Sequence, residues 1–254
     1  MATKKMDAHP LQRLRGTPWF LPIARAALAL LAQAGLAVAL ALAGQTEPWR
    51  RAAGWWVAWL VPVNAATIAL LAWKQRRDGA GFGGLFAAVA DRAGPELPWY
   101  LVALVVSVPL GLLPNLVLSR ALWGSVIGGG PAAFHAMPLG LIWALLLLVP
   151  VSQGLAEPPL YLGHLLPRLL RDGLSRRRAI VTCAAIMSAQ NLFFPALLDW
   201  RFALWRGVMF FPLSLWLAWL VVRRPTLLPY LAVAHGLMNV SVVLLVLRLS
   251  LPLG

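Results

Sequence analysis

Charge is scarce in this chain. Only 12% of its 254 residues are ionisable as Asp, Glu, Lys or Arg, and just eight of them are acidic, while 61% are apolar. A domain of this size cannot solvate its surface with so few charges, so a soluble globular fold is excluded and a membrane-embedded bundle is indicated. Cysteine is nearly absent. Cys183 stands alone, which excludes an intrachain disulfide and any zinc site built on a cysteine pair. Inside a helix it reads as a small apolar residue. The glycine-rich patch from Gly79 to Gly84 lacks the Lys-Ser/Thr ending of a phosphate loop and is left as a connector. Internal repeats are missing as well. The net charge of +14 would suit nucleic acid, but the basic residues lie between apolar runs and not along one face. They fit a lipid surface, and no nucleic-acid partner is expected.

What is present is a series of apolar runs, predicting an all-α, polytopic helix bundle. A basic arm over residues 1–19, with Lys4, Lys5, Arg13 and Arg15, precedes a first span at Phe20–Gly44. That span is too long for a signal peptide, and Arg25 lies near enough its end to snorkel. Further spans are expected at Gly54–Trp73, Pro98–Leu118, Met137–Ala156, Ala179–Leu197, Trp205–Val222 and Thr226–Leu247. Pro98–Leu118 should bend or break near Pro109 and Pro114. The count is seven, or eight if that proline-rich run divides. The chain falls into the arm, a set of N-terminal spans over 20–130 and a core over 131–254.

Loop charges orient these spans. Alternate loops starting from the N-terminal arm carry 15 Lys/Arg against 6 in the opposite set, with Arg206 at the start of the sixth span counted with the loop before it and Arg25 left inside the first span. The side richer in Lys and Arg is cytoplasmic, which places the N-terminus in the cytoplasm of a multi-pass protein of the cell membrane.

One acidic residue breaks the pattern. Seven of the eight carboxylates fall in expected loops or the arm, whereas Glu157 is continuous with the fourth span. A carboxylate in a membrane helix is costly and faces the bundle interior or a wet cavity. Glu157 reaches depth only if its helix continues through Pro158 and Pro159 to about Leu166, and the apolar Leu160, Tyr161, Leu162, Leu165 and Leu166 support that continuation. The two prolines would free the carbonyls of Gly154 and Leu155, again calling for a cavity. His235 and Asn239, four apart, share a face of the last span, about 13 Å from its cytoplasmic end. Gln190 lies about 16 Å deep in the fifth span. Such groups also serve to glue helices by hydrogen bonds. His164, four residues before Arg168, reads as a boundary histidine touching headgroups. His9 and His135 lie in loops.

These residues resemble the motifs of the CPBP family, the CAAX-prenyl-protease and bacteriocin-processing membrane endopeptidases. Glu157–Leu169 is similar to its first motif, commonly written EExxxRG followed by an apolar run, and His235–Asn239 matches its HxxxN motif. Ile186–Gln190 falls where the family has FxxxH. Pro195, Asp199-Trp200-Arg201-Phe202 and Leu228-Pro229 look like family connectors. The similarity covers about Leu139–Leu245. It implies a glutamate-activated water attacking a peptide bond near the cytoplasmic leaflet, with histidines and the asparagine orienting the water and holding the oxyanion. The departures are that Pro158 replaces the second glutamate, Leu162 the arginine, Ile186 the phenylalanine and Gln190 the second histidine. Gln190 can donate a hydrogen bond but cannot take a proton at neutral pH.

The expected site is therefore Glu157, Gln190, His235 and Asn239, lining one cavity. No cofactor and no metal are expected, since one Glu and one His fall short of the roughly three protein ligands a zinc site uses. The implied partners are the bilayer and a peptide or prenylated-peptide substrate. Two rivals are a catalytically silent relative that binds such a partner, and a small transporter in which Glu157 handles protons or cations. Paired charges in neighbouring spans would mark a transporter, and none is evident in the sequence. The charge asymmetry makes a direct prediction. Single cysteines placed in the Arg168–Arg178 loop should be labelled from the cytoplasmic side and those in Ser119–Ala136 from the other; labelling of both from one side would overturn the orientation.

Overall fold

The structure, a computed structural model, describes residues 17–86, 93–127 and 133–251, so most of the expected basic arm and His9 lie outside the described residues. Among those described there are helices and no strand. The main helices are α1 (Phe20–Leu42), α2 (Pro48–Gly54), α3 (Trp56–Arg77), α4 (Ala93–Trp123) and α5 (Leu139–Pro158), followed by α6 (Leu166–Arg171), α7 (Arg176–Ala189), α8 (Trp200–Val208), α9 (Phe211–Arg223) and α10 (Leu228–Ser250). Six helical segments are long and apolar enough to cross a membrane: Phe20–Leu42, Trp56–Arg77, Pro95–Trp123, Leu139–Arg171, Trp200–Arg223 and Pro225–Ser250. The chain is a multi-pass membrane protein on that ground. Val105, Val108, Leu113 and Val117 of α4 are exposed, as a lipid-facing helix requires.

Several elements differ from the expectation. α4 is continuous through Pro98, Pro109 and Pro114, longer at both ends than the expected span; inside a bilayer the loss of single bonds to proline does not release the remaining ladder to water. α7 has only 14 residues, about 21 Å, and ends at Ala189 where the fifth span was expected to run on to Leu197. Gln190–Phe193 then forms a 3₁₀ turn. The expected sixth span begins earlier, as α8 followed by α9.

The fourth span does continue through its prolines. α5 ends at Pro158, a π-helical stretch covers Pro159–Leu165, and α6 completes the segment. Two successive prolines remove two donors from the α-helical ladder, and the chain widens: the Leu166 N–H bonds the Tyr161 carbonyl five residues back. Gly154 and Leu155, whose carbonyls were expected to be bare, lie in the last turns of α5, ahead of this wider stretch.

Two buried clusters hold the bundle. One combines Leu160, Leu162, Leu165 and Leu166 with Met187, Leu217, Leu220 and Leu231. The other combines Trp56, Leu60, Ile142, Leu145, Val149 and Val243. Between them α5 and α10 meet at two glycines. A Cβ on Gly154 would lie 2.6 Å from the Ala232 carbonyl oxygen, and one on Gly236 2.6 Å from the Pro150 carbonyl oxygen. Close backbone approach through small residues is how helices associate where lipid is as apolar as leucine.

The carboxylates correct a second expectation, since Glu157 is not alone in being buried. Asp78, at the end of α3, is buried and pairs with Arg168 of α6 and, at 3.2 Å, with Lys74. His164 is buried against the same Arg168 and does not reach the headgroups. Glu96 in the first turn of α4 is buried and accepts a 2.8 Å hydrogen bond from Thr226, tying α4 to the turn before α10. Gly236→Ala should force α5 and α10 apart against backbone. A loss of about 1–3 kcal/mol, typical of overpacking, is expected in a reversible unfolding measurement in detergent, with Gly140→Ala, which meets open space, as the neutral control.

Candidate polar site in the membrane-spanning bundle

The polar residues of the spans gather in one layer, and the two apolar clusters flank it in sequence on each contributing element. Arg25 lies between Leu21 and Ala29 on α1, and Asn64 and Thr67 between Leu60 and Leu71 on α3. Gln153 and Glu157 lie between Val149 and Leu160 on the fourth span, and Gln190 between Met187 and Phe194. His235 and Asn239 lie between Leu231 and Val243 on α10. Each of these elements therefore brings polar groups inward at a common level, with buried apolar residues flanking them on both sides.

Arg25 is the hub. It is 1% exposed, so the expectation that it snorkels to the membrane surface is wrong. Its Nε donates to Gln190 Oε1 at 3.0 Å, its Nη1 to Asn64 Oδ1 at 2.8 Å and its Nη2 to Gln153 Oε1 at 2.9 Å. Nη2 also stands 3.8 Å from Glu157 Oε2. The guanidinium rests over the Phe194 ring at 4.9 Å. A cation five residues into a span reaches the interior because every face of its fork finds an acceptor there. The pair also removes the ground on which transport was set aside: Arg25 and Glu157 are opposite charges on neighbouring spans.

Glu157 is held from several directions. Gln153, one turn earlier on the same helix, donates to Oε2 at 3.0 Å, and His235 Nε2 stands 3.6 Å from that oxygen. That histidine nitrogen has no hydrogen-bond partner among the described residues. Catalytic hydrogen bonds are commonly long before substrate arrives and tighten afterwards. Asn239 donates to the carbonyl of His235 at 2.8 Å, spending one of its two amide hydrogens on its own helix.

These groups open on a cavity of about 210 Å³. Glu157, His235 and Asn239 line it, together with Arg25, Gln153 and Arg206. Gln190 does not. It stands behind Arg25 with its Oε1 committed to the guanidinium, and Asn191 takes the place on the wall. The expectation that four residues line one cavity thus holds for three of them, because the 3₁₀ turn that begins at Gln190 turns its side chain towards α1. Among the described residues no cluster of His, Cys, Asp and Glu is suited to a metal ion. Cys183 is buried, its Sγ donating to the Tyr161 carbonyl at 3.3 Å.

Sequence reasoning missed Arg25, Gln153, Thr67 and Arg206. The available signal was the rarity of an arginine inside an apolar span, together with the one-turn spacing of Gln153 and Glu157. No protein-family model matches this chain, and no curated protein or solved structure shows significant similarity to it.

The hub makes a quantitative prediction. Arg25→Met leaves Glu157 without its cation and should cost about 3–5 kcal/mol, the usual penalty for breaking a buried pair. Arg25→Met combined with Glu157→Gln should recover much of that loss. Unfolding in detergent measures both, and strictly additive effects would show that the two charges do not couple.

Proposed function

We propose that this chain is a CPBP-type intramembrane endopeptidase with a pared-down site. The observation that carries the reading is that Glu157 lies 78 and 82 residues before His235 and Asn239, the other matched motif residues, yet all three face one cavity. Glu157 takes a proton from a water in that cavity as the water attacks the peptide carbonyl, and then returns it to the leaving amine. His235 Nε2, which has no hydrogen-bond partner among the described residues, donates to the oxyanion, and the remaining Asn239 amide hydrogen assists. Arg25 and Gln153 position the carboxylate, and Gln190 positions Arg25.

The membrane arrangement consistent with this chemistry has seven passes, with the N-terminus cytoplasmic in the cell membrane. α7 together with its 3₁₀ turn extends about 29 Å, close to the thickness of a hydrocarbon core of about 30 Å. The excess of Lys and Arg in alternate loops supports the orientation. The substrate is a peptide, prenylated or not, entering from the cytoplasmic leaflet.

One observation favours a second reading, a silent relative that binds a peptide or lipid-linked partner. The Oε2 atom of Glu157 is already engaged by Gln153 and stands close to Arg25. The test uses purified protein in bilayer discs with quenched fluorescent peptides, prenylated and plain. The peptidase reading expects turnover that Glu157→Gln abolishes and His235→Ala lowers by roughly 10²–10³-fold. No cleavage by the wild type, with peptide binding unchanged in Glu157→Gln, would decide for the binder. Proton uptake into proteoliposomes that Glu157→Gln removes, with nothing cleaved, would decide for transport.

A further inference from the structure

The cavity holds a second arginine that the proposed chemistry leaves unused. Arg206 of α8 is 9% exposed, and it lines the same wall as Glu157 and His235. Its Nε and Nη2 both donate to the Phe194 carbonyl, at 3.1 and 2.6 Å. Three rings surround the guanidinium, with centroids at 5.2 Å for Trp56 and 5.8 Å for Trp205 and for Phe210. Nη1 makes no hydrogen bond among the described residues.

Charge does not balance around this cavity. Arg25 and Arg206 contribute two permanent cations, because a guanidinium keeps its proton. Glu157 is the single carboxylate on the wall, and it is the one paired with Arg25. Among the described residues no carboxylate lies within ion-pair distance of Arg206. A cation without an ion-pair partner is costly inside a membrane bundle, and the more distant charge of Glu157, the ring faces and one carbonyl offset only part of that cost. Ser214, two turns further along on α9, also lines the cavity.

We propose that Arg206 is an anion-binding subsite of the cavity, taking one oxygen of a carboxylate or phosphate group, or a halide, on its free Nη1. The restriction to one contact follows from the geometry. Nε and Nη2 form the guanidinium edge that would otherwise grip two oxygens, and that edge is spent on Phe194. The subsite depends on the cavity and its charge, not on peptide hydrolysis, so failure of the peptidase reading leaves it standing. If both hold, the anion is a group carried by the substrate.

Iodide is the probe, since it quenches indoles by contact and Trp56 and Trp205 flank the guanidinium. With protein in maltoside micelles and ionic strength held by a bulky sulfonate salt, tryptophan emission should show a saturable quenching component above a linear background. Chloride or acetate should compete it away. Arg206→Gln should abolish the component, and Arg206→Lys should keep it at roughly tenfold lower affinity, about one charge-assisted hydrogen bond. If Arg206→Gln fails to fold, Arg206→Lys makes the assignment, since an unchanged affinity in that variant would place the anion elsewhere and overturn the proposal. Transfer to discs containing phosphatidylglycerol separates the sources. Loss of the component there assigns the site to a lipid headgroup, and its persistence assigns it to a soluble anion. Purely linear quenching of the wild type in micelles would overturn the proposal. A saturable component unchanged in Arg206→Gln would do the same, by placing the anion elsewhere.

Discussion

The structure depends on how one buried guanidinium is satisfied. Arg25 is buried away from the membrane surface, so the bundle must bring it acceptors, and it draws them from three separate segments. Asn64 comes from α3, Gln153 and Glu157 from α5, and Gln190 from the turn after α7. The planar fork fixes the directions as well as the distances of these contacts. An apolar interface between the same helices would tolerate sliding or rotation at little cost, because leucine against leucine resembles leucine against lipid. A fork with fixed donors does not. Arg25 therefore sets the register of the helices that build the cavity.

Glycine contacts and the polar layer divide the work on α5 and α10. Gly154 and Gly236 bring the backbones together on one side. Glu157 and His235, three residues after the first and one before the second, reach the cavity from the same helices. Close approach of the backbones is what allows a short carboxylate and an imidazole from two helices to come within 3.6 Å. The π-helical widening after Glu157 belongs to the same local solution. It begins where two prolines make a regular α-helix impossible, and it lets the segment continue to the buried Asp78–Arg168 pair at the end of α3.

That second buried pair has a different character. Asp78 and Arg168 lie at helix ends beside Lys74, whereas Arg25 and Glu157 lie mid-bundle and open on a cavity. Broken at either place, a charge would be left uncompensated. The inner pair has a cavity beside it, which is why the proposed chemistry is located there.

The amino-acid sequence by itself determined the class of this protein and the approximate place of most of its spans. Runs of apolar residues about the thickness of a bilayer have few alternatives. It also singled out Glu157, His235 and Asn239, because ionisable and amide groups stand out against an apolar background. Tertiary structure alone decided which polar groups meet. Helix rotation and depth are set by packing between segments far apart in sequence, so nothing local distinguishes a snorkelling Arg25 from a buried hub. The same holds for Gln190, which a 3₁₀ turn carries out of the cavity, and for Arg206, whose lack of a counter-charge becomes visible only when its neighbours are known.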